Sequence, residues 1–259
     1  MRQATQAKNK IQYTALAKNS LLALTAIGAL TIATQALSYE AGDMFVRAGA
    51  VRVAPDESSD GIAIPGLDIA AIAGTGAQVD NDTQLGLTFT YMYSNKLGVE
   101  VLAATPFEHN LTANLDGYDD GLSVAAGSTK HLPPVVSAVY YPMADNGSAV
   151  QPYIGAGLNY TVFFSEDVAP ELEALTGVLA GGEGADPIAM KLELDDSWGL
   201  AFQAGVDVAI DEQWHVNGSV RWADIETEAT FSAAGSDIIT IDNVELDPWV
   251  YQINIGYTF

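Results

Sequence analysis

The sequence predicts an all-β protein, an eight-stranded antiparallel transmembrane β-barrel with short periplasmic turns and long extracellular loops. Three observations predict it. In the stretch from Trp249 to Phe259, Trp249, Tyr251, Ile253, Ile255, Tyr257 and Phe259 share one face, while Val250, Gln252, Asn254, Gly256 and Thr258 share the other. The first face is apolar and carries aromatic residues at both ends, as expected of ~9 to 11 tilted residues crossing a bilayer between aromatic girdles. Second, segments with the same alternation recur along the chain, separated in turn by short turns and long polar loops. Third, the opposite faces are rich in Gly, Thr, Ser, Asn and Gln, which would make a poor core. A lipocalin-like barrel or β-sandwich has the same period but turns its apolar face inward. The aromatic ends and the poor inner face decide against it.

Residues 1–38 read as a secretory signal peptide. Arg2, Lys8, Lys10 and Lys18 precede the apolar run Leu21 to Ala33, and no acidic side chain occurs in the segment. That run is short of the ~20 residues a membrane helix needs. Ala36 and Ser38 suit a cut before Tyr39, with a cut after Ala36 as the runner-up. Residues 39–259 then form the barrel. Without the four basic residues of the signal, 6 basic face 33 acidic residues, a net charge of −27. Such a field repels nucleic acid and anionic head groups, so nucleic acid is not an expected partner. Cysteine is absent, which removes disulfides and thiolate metal sites.

The strands follow in order. Asp43 to Val53 is the first, with Arg47 and Arg52 on opposite faces, so its inner face stays unassigned. Residues 54 to 82 have no sustained period and form the first long loop. Thr83 to Tyr93 places Leu85, Leu87, Phe89, Tyr91 and Tyr93 outward; a turn at Ser94 to Lys96 leads to a third strand, Leu97 to Phe107. There Gly98, Glu100, Leu102, Ala104 and Pro106 share the inner parity. The loop 108–129 precedes His131-Leu132-Pro133-Pro134 and the fourth strand, Val135 to Tyr141. A fifth, Val150 to Phe163, is followed by a loop of residues 165–190 in which Glu171 to Leu179 suits a short helix. The sixth, Leu192 to Ile210, turns at Asp211-Glu212 into the seventh around Trp214 to Trp222. A loop near residues 232–243 leads to the last. The even count returns both ends to the periplasmic side and lets the first strand close on the eighth.

Chemistry-bearing residues are sparse. His109, His131 and His215 lack metal-ligand spacing, and no GxSxG elbow accompanies them. His109 and His131 are expected at the polar rim and His215 in the lumen near the periplasm. The acidic clusters Asp80-Asn81-Asp82, Asp116 to Asp120 and Asp195-Asp196 lack the spacing of an EF-hand loop and read as solvated charge. Neither catalytic residues, a metal nor a cofactor is expected. Trp198, Trp214, Trp222, Trp249, Tyr257 and Phe259 are expected in the aromatic girdles.

The motifs TQLGLTFTYM (83–92), GVEVLAATPF (98–107), HLPP (131–134), PYIGAGLNYT (152–161), DSWG (196–199) and LDPWV (246–250) resemble the OmpW family of outer-membrane proteins across nearly every strand. The resemblance implies residence in the outer membrane and a narrow barrel passing small hydrophobic molecules. A strand ending in Phe259 also resembles those handled by the outer-membrane assembly machinery, an expected partner beside lipid. In the family, inward apolar side chains narrow the lumen. Leu102 matches such a position, but Arg221 stands on strand seven where an inward Trp would be expected. Glu100 and Asp207 share its parity, so the constriction is expected to be Leu102 with a charged network of Arg221, Glu100 and Asp207.

Two function classes remain, a channel for hydrophobic solutes and a plugged barrel acting through its loops. Small inner residues such as Gly86, Gly155, Gly157 and Gly205 favour a passage, and charges across the lumen favour a plug. Pro106, Pro133 and Pro134 lack backbone N–H groups and meet across the third and fourth strands. A lateral seam through which an apolar cargo leaves for the membrane is expected there.

Overall fold

The structure, a computed structural model, describes residues 38–65, 69–116 and 121–259. The signal-peptide reading falls on residues 1–38 and lies outside the described residues, Ser38 excepted. In chain order the strands are β1 (Met44–Ala54), β2 (Ile62–Ile64), β3 (Ile69–Ile72), β4 (Gly76–Val79), β5 (Asp82–Met92), β6 (Leu97–Ala104), β7 (Phe107–Asn114) and β8 (Ser123–Leu132). They continue as β9 (Val135–Tyr140), β10 (Val150–Val168), β11 (Lys191–Leu194), β12 (Ser197–Ala209), β13 (Trp214–Ala223), β14 (Glu226–Ala233), β15 (Ser236–Glu245) and β16 (Trp249–Thr258). One helix, α1 (Pro170–Gly181), falls where a short helix was expected. Proline at its start has no N–H to waste and a φ already helical.

β1, β5, β6, β9, β10, β12, β13 and β16 pair antiparallel in that order, and β16 pairs with β1, so the barrel closes without an edge. Its alternation places Trp249, Tyr251, Ile253 and Ile255 outside and Gln252 and Asn254 inside. Ile253 is 71% exposed and Asn254 is buried. Leu85, Leu87, Ile154, Leu158, Leu200 and Ile255 extend this exposed apolar surface around the wall. Water does not tolerate a contiguous apolar belt of this kind, whereas hydrocarbon does. For β1 the register settles which arginine is inside: Arg47 is 1% exposed, while Arg52 faces outward.

The long loops differ from the sequence expectation. They are not irregular: β11, β14, β15, β2 and β3 form a second sheet, and β4, β7, β8 and the outer part of β10 extend the barrel wall. We call this extracellular assembly the crown. β2, β3 and β4 are too short to show a period of two, which is why residues 54 to 82 read as loop. The expected third strand breaks at Thr105-Pro106, because proline cannot donate to the ladder, and the inner parity then passes from even to odd residues. Pro106 is therefore exposed rather than inward, and Phe107 is buried. The expected sixth strand is likewise two. Between β11 and β12, Asp196 turns away to accept hydrogen bonds from the Tyr160 hydroxyl at 2.7 Å and the Phe163 amide at 3.3 Å.

β10 is the one strand that serves both wall and crown, running 19 residues without a break. Its pairing with β8 slips between Phe164 and Asp167, where Ser165 takes a φ of 55°. Such a bulge takes up one residue of mismatch between two registers.

Candidate functional site

The barrel interior has three levels. At the periplasmic end Tyr39, Phe45, Met92, Val139, Tyr141 and Tyr153 pack into an apolar cluster. Tyr39 stacks on Phe45 at 4.8 Å between ring centroids and meets Tyr141 edge-on at 4.8 Å. Such contacts add about 0.5–1.5 kcal/mol per pair beyond area burial.

Above it lies a charged layer in which every carboxylate is matched. Arg47 donates to Glu100 at 2.9 Å, to Asp207 at 2.6 Å and to the Tyr141 hydroxyl at 2.7 Å. Arg221 donates to the other oxygen of Glu100 at 2.9 Å and to Gln203 Oε1 at 2.6 Å. Gln203 Nε2 returns a bond to Glu100 at 2.9 Å, while Tyr39 and Asn217 donate to Asp207 at 2.7 and 2.8 Å. Two guanidinium groups thus face two carboxylates, with all four residues nearly fully buried. A low-dielectric interior holds such a group only when each charge is paired and hydrogen-bonded.

Among the expected constriction residues, Leu102, Glu100 and Arg221 come together, and Asp207 joins them only through Arg47. Arg47 is the hub that sequence reasoning left undecided, because its partner at position 52 shared the same chemistry and the opposite parity. Of the remaining histidines, His215 is buried in the lumen beside Arg47, as expected.

The third level is an apolar chamber of about 330 Å³ inside the crown. β2, β3 and β15 supply Ile62, Ile69 and Ile239, α1 supplies Leu172, and β7 and β14 supply Leu111 and Phe231. Among the described residues, no aspartate, glutamate, lysine or arginine lines it. Beneath it, a narrower void of about 20 Å³ is lined by Leu102, Ala104, Phe107, His131, Pro133 and Arg221, among others. The β6–β9 ladder stops at Leu102↔Val135, and the β7–β8 ladder resumes at Phe107↔His131. Pro106, Pro133 and Pro134 occupy the interval, so the small void lies against an unpaired stretch of wall. Pro134 keeps its carbonyl occupied from the far side, accepting from the Tyr160 amide at 3.1 Å.

His109 and His131 are not polar rim residues. Both are buried in the chamber wall, with Nε2 atoms 2.9 Å apart. His131 lies between Phe107 and Phe163, at ring-centroid distances of 5.4 and 5.8 Å. Burial, and then the neighbouring His109, push the His131 pKa down to about 3, with Asp82 acting weakly in the other direction. A histidine with a folded value below its free value of about 6.5 contributes stability that is complete above that pH and is lost as pH falls through it. We expect β7 and β8 to lose hydrogen-exchange protection relative to the barrel between pH 7 and pH 5, after correction for intrinsic rates. His131→Phe should abolish the difference. Unchanged relative protection in the wild-type protein would exclude a neutral buried His131.

The acidic clusters act within the fold. Asp80 binds the backbone and side-chain amides of Asn110, both at 2.8 Å, and Asp82 accepts from the Glu108 amide at 2.9 Å, tying β7 to the barrel rim. Asp116 accepts from the Gly121 amide at 2.9 Å, and residues 117–120 lie outside the described ones.

Trp198, Trp222 and Trp249 lie towards one end of the outer wall, and Trp214, Tyr257 and Phe259 towards the other. Tyr160 stacks on Trp198 at 4.3 Å, Trp222 lies opposite Trp249, and Trp214, Tyr257 and Phe259 contact one another in series at 4.9 and 5.0 Å. Trp249 to Tyr257 spans about 26 Å of strand, or about 20 Å of height at a tilt of ~40°.

Comparison with known proteins agrees with this architecture. A family model described as the OmpW family matches residues 40–259. Outer membrane protein W of Vibrio cholerae is 39% identical over 242 residues, covering 93% of this chain and all of the relative. The crystal structure of the outer membrane protein OprG from Pseudomonas aeruginosa superposes with a TM-score of 0.73 at 41% identity, covering 86% of this chain and 98% of OprG. A more distant relative, the dibenzothiophene metabolism operon protein PahQ of Pseudomonas aeruginosa, is 24% identical over 188 residues, 73% of this chain and 77% of PahQ. With an edge-free eight-stranded wall, an apolar outer belt and a match over the whole barrel, the chain belongs to the OmpW family and is a β-barrel protein of the outer membrane.

Proposed function

We propose that the barrel takes up small hydrophobic molecules passively and releases them sideways into the membrane. Cargo enters the chamber through the crown, is stopped at Leu102 and Arg221, and leaves between β6 and β9 at Pro106, Pro133 and Pro134. The observation that carries this reading is the small void, which shares His131, Ile225 and Pro248 with the chamber's lining and is bounded by Pro133 of the unpaired stretch of wall. Straight passage would cross the charged layer and the tyrosine cluster, where buried side chains meet across the lumen. An apolar molecule gains about 25 cal/mol for each square ångström it moves from water into hydrocarbon, so the sideways route is downhill. That a relative is named for a dibenzothiophene metabolism operon supports an apolar cargo. Catalysis has no part in this reading.

The packed charged layer also favours a second reading, a plugged barrel with a structural, adhesive or recognition role exerted through its crown. One experiment separates the two. Pro133→Val with Pro134→Val restores N–H donors to the ladder, and uptake of a small apolar compound should fall several-fold at matched protein levels. Unchanged uptake by the variant would exclude lateral exit, and wild-type uptake no greater than that of cells lacking the protein would favour the plug. The same proposal takes residues 1–38 as a signal peptide and Trp198, Trp214, Trp222, Trp249, Tyr257 and Phe259 as girdles against lipid head groups. It also takes the strand ending at Phe259 as the segment read by the outer-membrane assembly machinery.

A further inference from the structure

Hydrogen-bond direction fixes the tautomers of the chamber's histidine pair. Asp80 O is a carbonyl oxygen and only accepts, so His109 Nδ1, 2.5 Å away, carries the proton. In this Nδ1–H tautomer His109 presents a lone pair at Nε2. His131 Nε2, 2.9 Å away, must donate to it. The chain of donors ends at His131 Nδ1, which is left a bare lone pair, buried and without a partner. Arg221, which lines the same small void, spends Nη2 on Glu100 and Gln203 and leaves Nε and Nη1 buried without acceptors. An otherwise apolar space therefore ends in unmatched donors and an unmatched acceptor. Leaving such groups unmatched in a dry site is costly.

From this we infer that the chamber is a binding site selective for apolar molecules carrying one hydroxyl group, alcohols or phenols. The body fills the chamber, and the hydroxyl occupies the small void, accepting from Arg221 and donating to His131 Nδ1. The void's volume of about 20 Å³ suits one oxygen atom with its hydrogen. A hydroxyl matches both sides at once with a single heavy atom. A carboxylate would meet the His131 lone pair with a lone pair of its own, and it would unbalance a layer in which two arginines already face two carboxylates. A pure hydrocarbon satisfies neither group.

The inference rests on the chamber being the cargo site of the proposed uptake. The test keeps the two separable. Binding of 2-naphthol and of naphthalene to the full barrel in lipid nanodiscs is measured by calorimetry, with empty nanodiscs correcting for partition into lipid. We expect the corrected affinity for 2-naphthol to exceed that for naphthalene about tenfold, the effect of satisfying buried polar groups. His131→Phe keeps a planar ring beside Phe107 and Phe163 but removes the acceptor, and should bring the ratio close to one while naphthalene affinity holds. Folding of the variant is checked by its heat-modifiable mobility. Equal affinities for the two compounds in the wild-type protein would overturn the hydroxyl selectivity and leave the uptake reading standing, with water alone matching the void's polar atoms. Binding of neither compound would overturn both. Because the wild-type comparison decides by itself, a variant that fails to fold does not rescue the idea.

Discussion

Glu100→Gln is expected to destabilise the folded barrel by about 3–5 kcal/mol, the cost of leaving a buried charge without its partner. Glu100 is the carboxylate that joins both lumen arginines, at 2.9 Å to each. Arg47 keeps Asp207 when Glu100 is neutralised, but Arg221 has no other carboxylate within ion-pair reach among the described residues. Arg221 therefore bears most of the loss. The second half of the expectation is non-additivity. Replacing Arg221 with Met in the Glu100→Gln background removes both charges, and much of the stability should return. Equilibrium refolding into lipid vesicles measures Glu100→Gln, Arg221→Met and the double variant. A loss below ~1 kcal/mol for the single change, or strict additivity of the two, would mean that the layer is solvated rather than dry.

Ile253→Arg carries the next largest effect, about 2–4 kcal/mol. Ile253 is opposite Ala50 and Gly218 in the middle of the β1–β16–β13 ladder, and its side chain is the most exposed of the large aliphatic ones on the belt. A guanidinium there has only hydrocarbon around it. The same arginine in place of Tyr93, just beyond the end of β5 at the periplasmic turn, should cost only about 0–1 kcal/mol on account of its charge. The chain's own outward arginine obeys this depth rule, since Arg52 lies opposite Tyr251 and Thr83 towards the crown end of the wall. Matched refolding free energies for the two variants would contradict a bilayer centred on Ile253.

The wall was legible in the sequence because its physics is one-dimensional. A strand with lipid on one side and lumen on the other records both environments in alternate residues, and Trp249 to Thr258 does so along its whole length. The crown records nothing comparable. Ile62 of β2, Ile69 and Ile72 of β3 and Ile239 of β15 converge on the chamber, and their common destination exists only after the sheet is assembled. The prolines announced an interrupted ladder because a missing donor is a local property. Arg47 was ambiguous for the opposite reason: its role depends on meeting Glu100 and Asp207, 53 and 160 residues away. The histidine pair was hidden likewise, since the spacing of 22 residues becomes a contact only through the β7–β8 register.

The bulge in β10 has a meaning for how such chains change over generations. Below Phe164 a single inserted residue would swap the lipid and lumen faces of β10. Between Phe164 and Asp167 the register has already slipped, and Ser165 holds the backbone in the left-handed region that permits it. Insertions and deletions above that point leave the phase of the wall untouched. The junction thus divides the molecule into a part whose length is frozen and a part whose length is free to drift. A crown from one relative should be transplantable onto the barrel of another at this position.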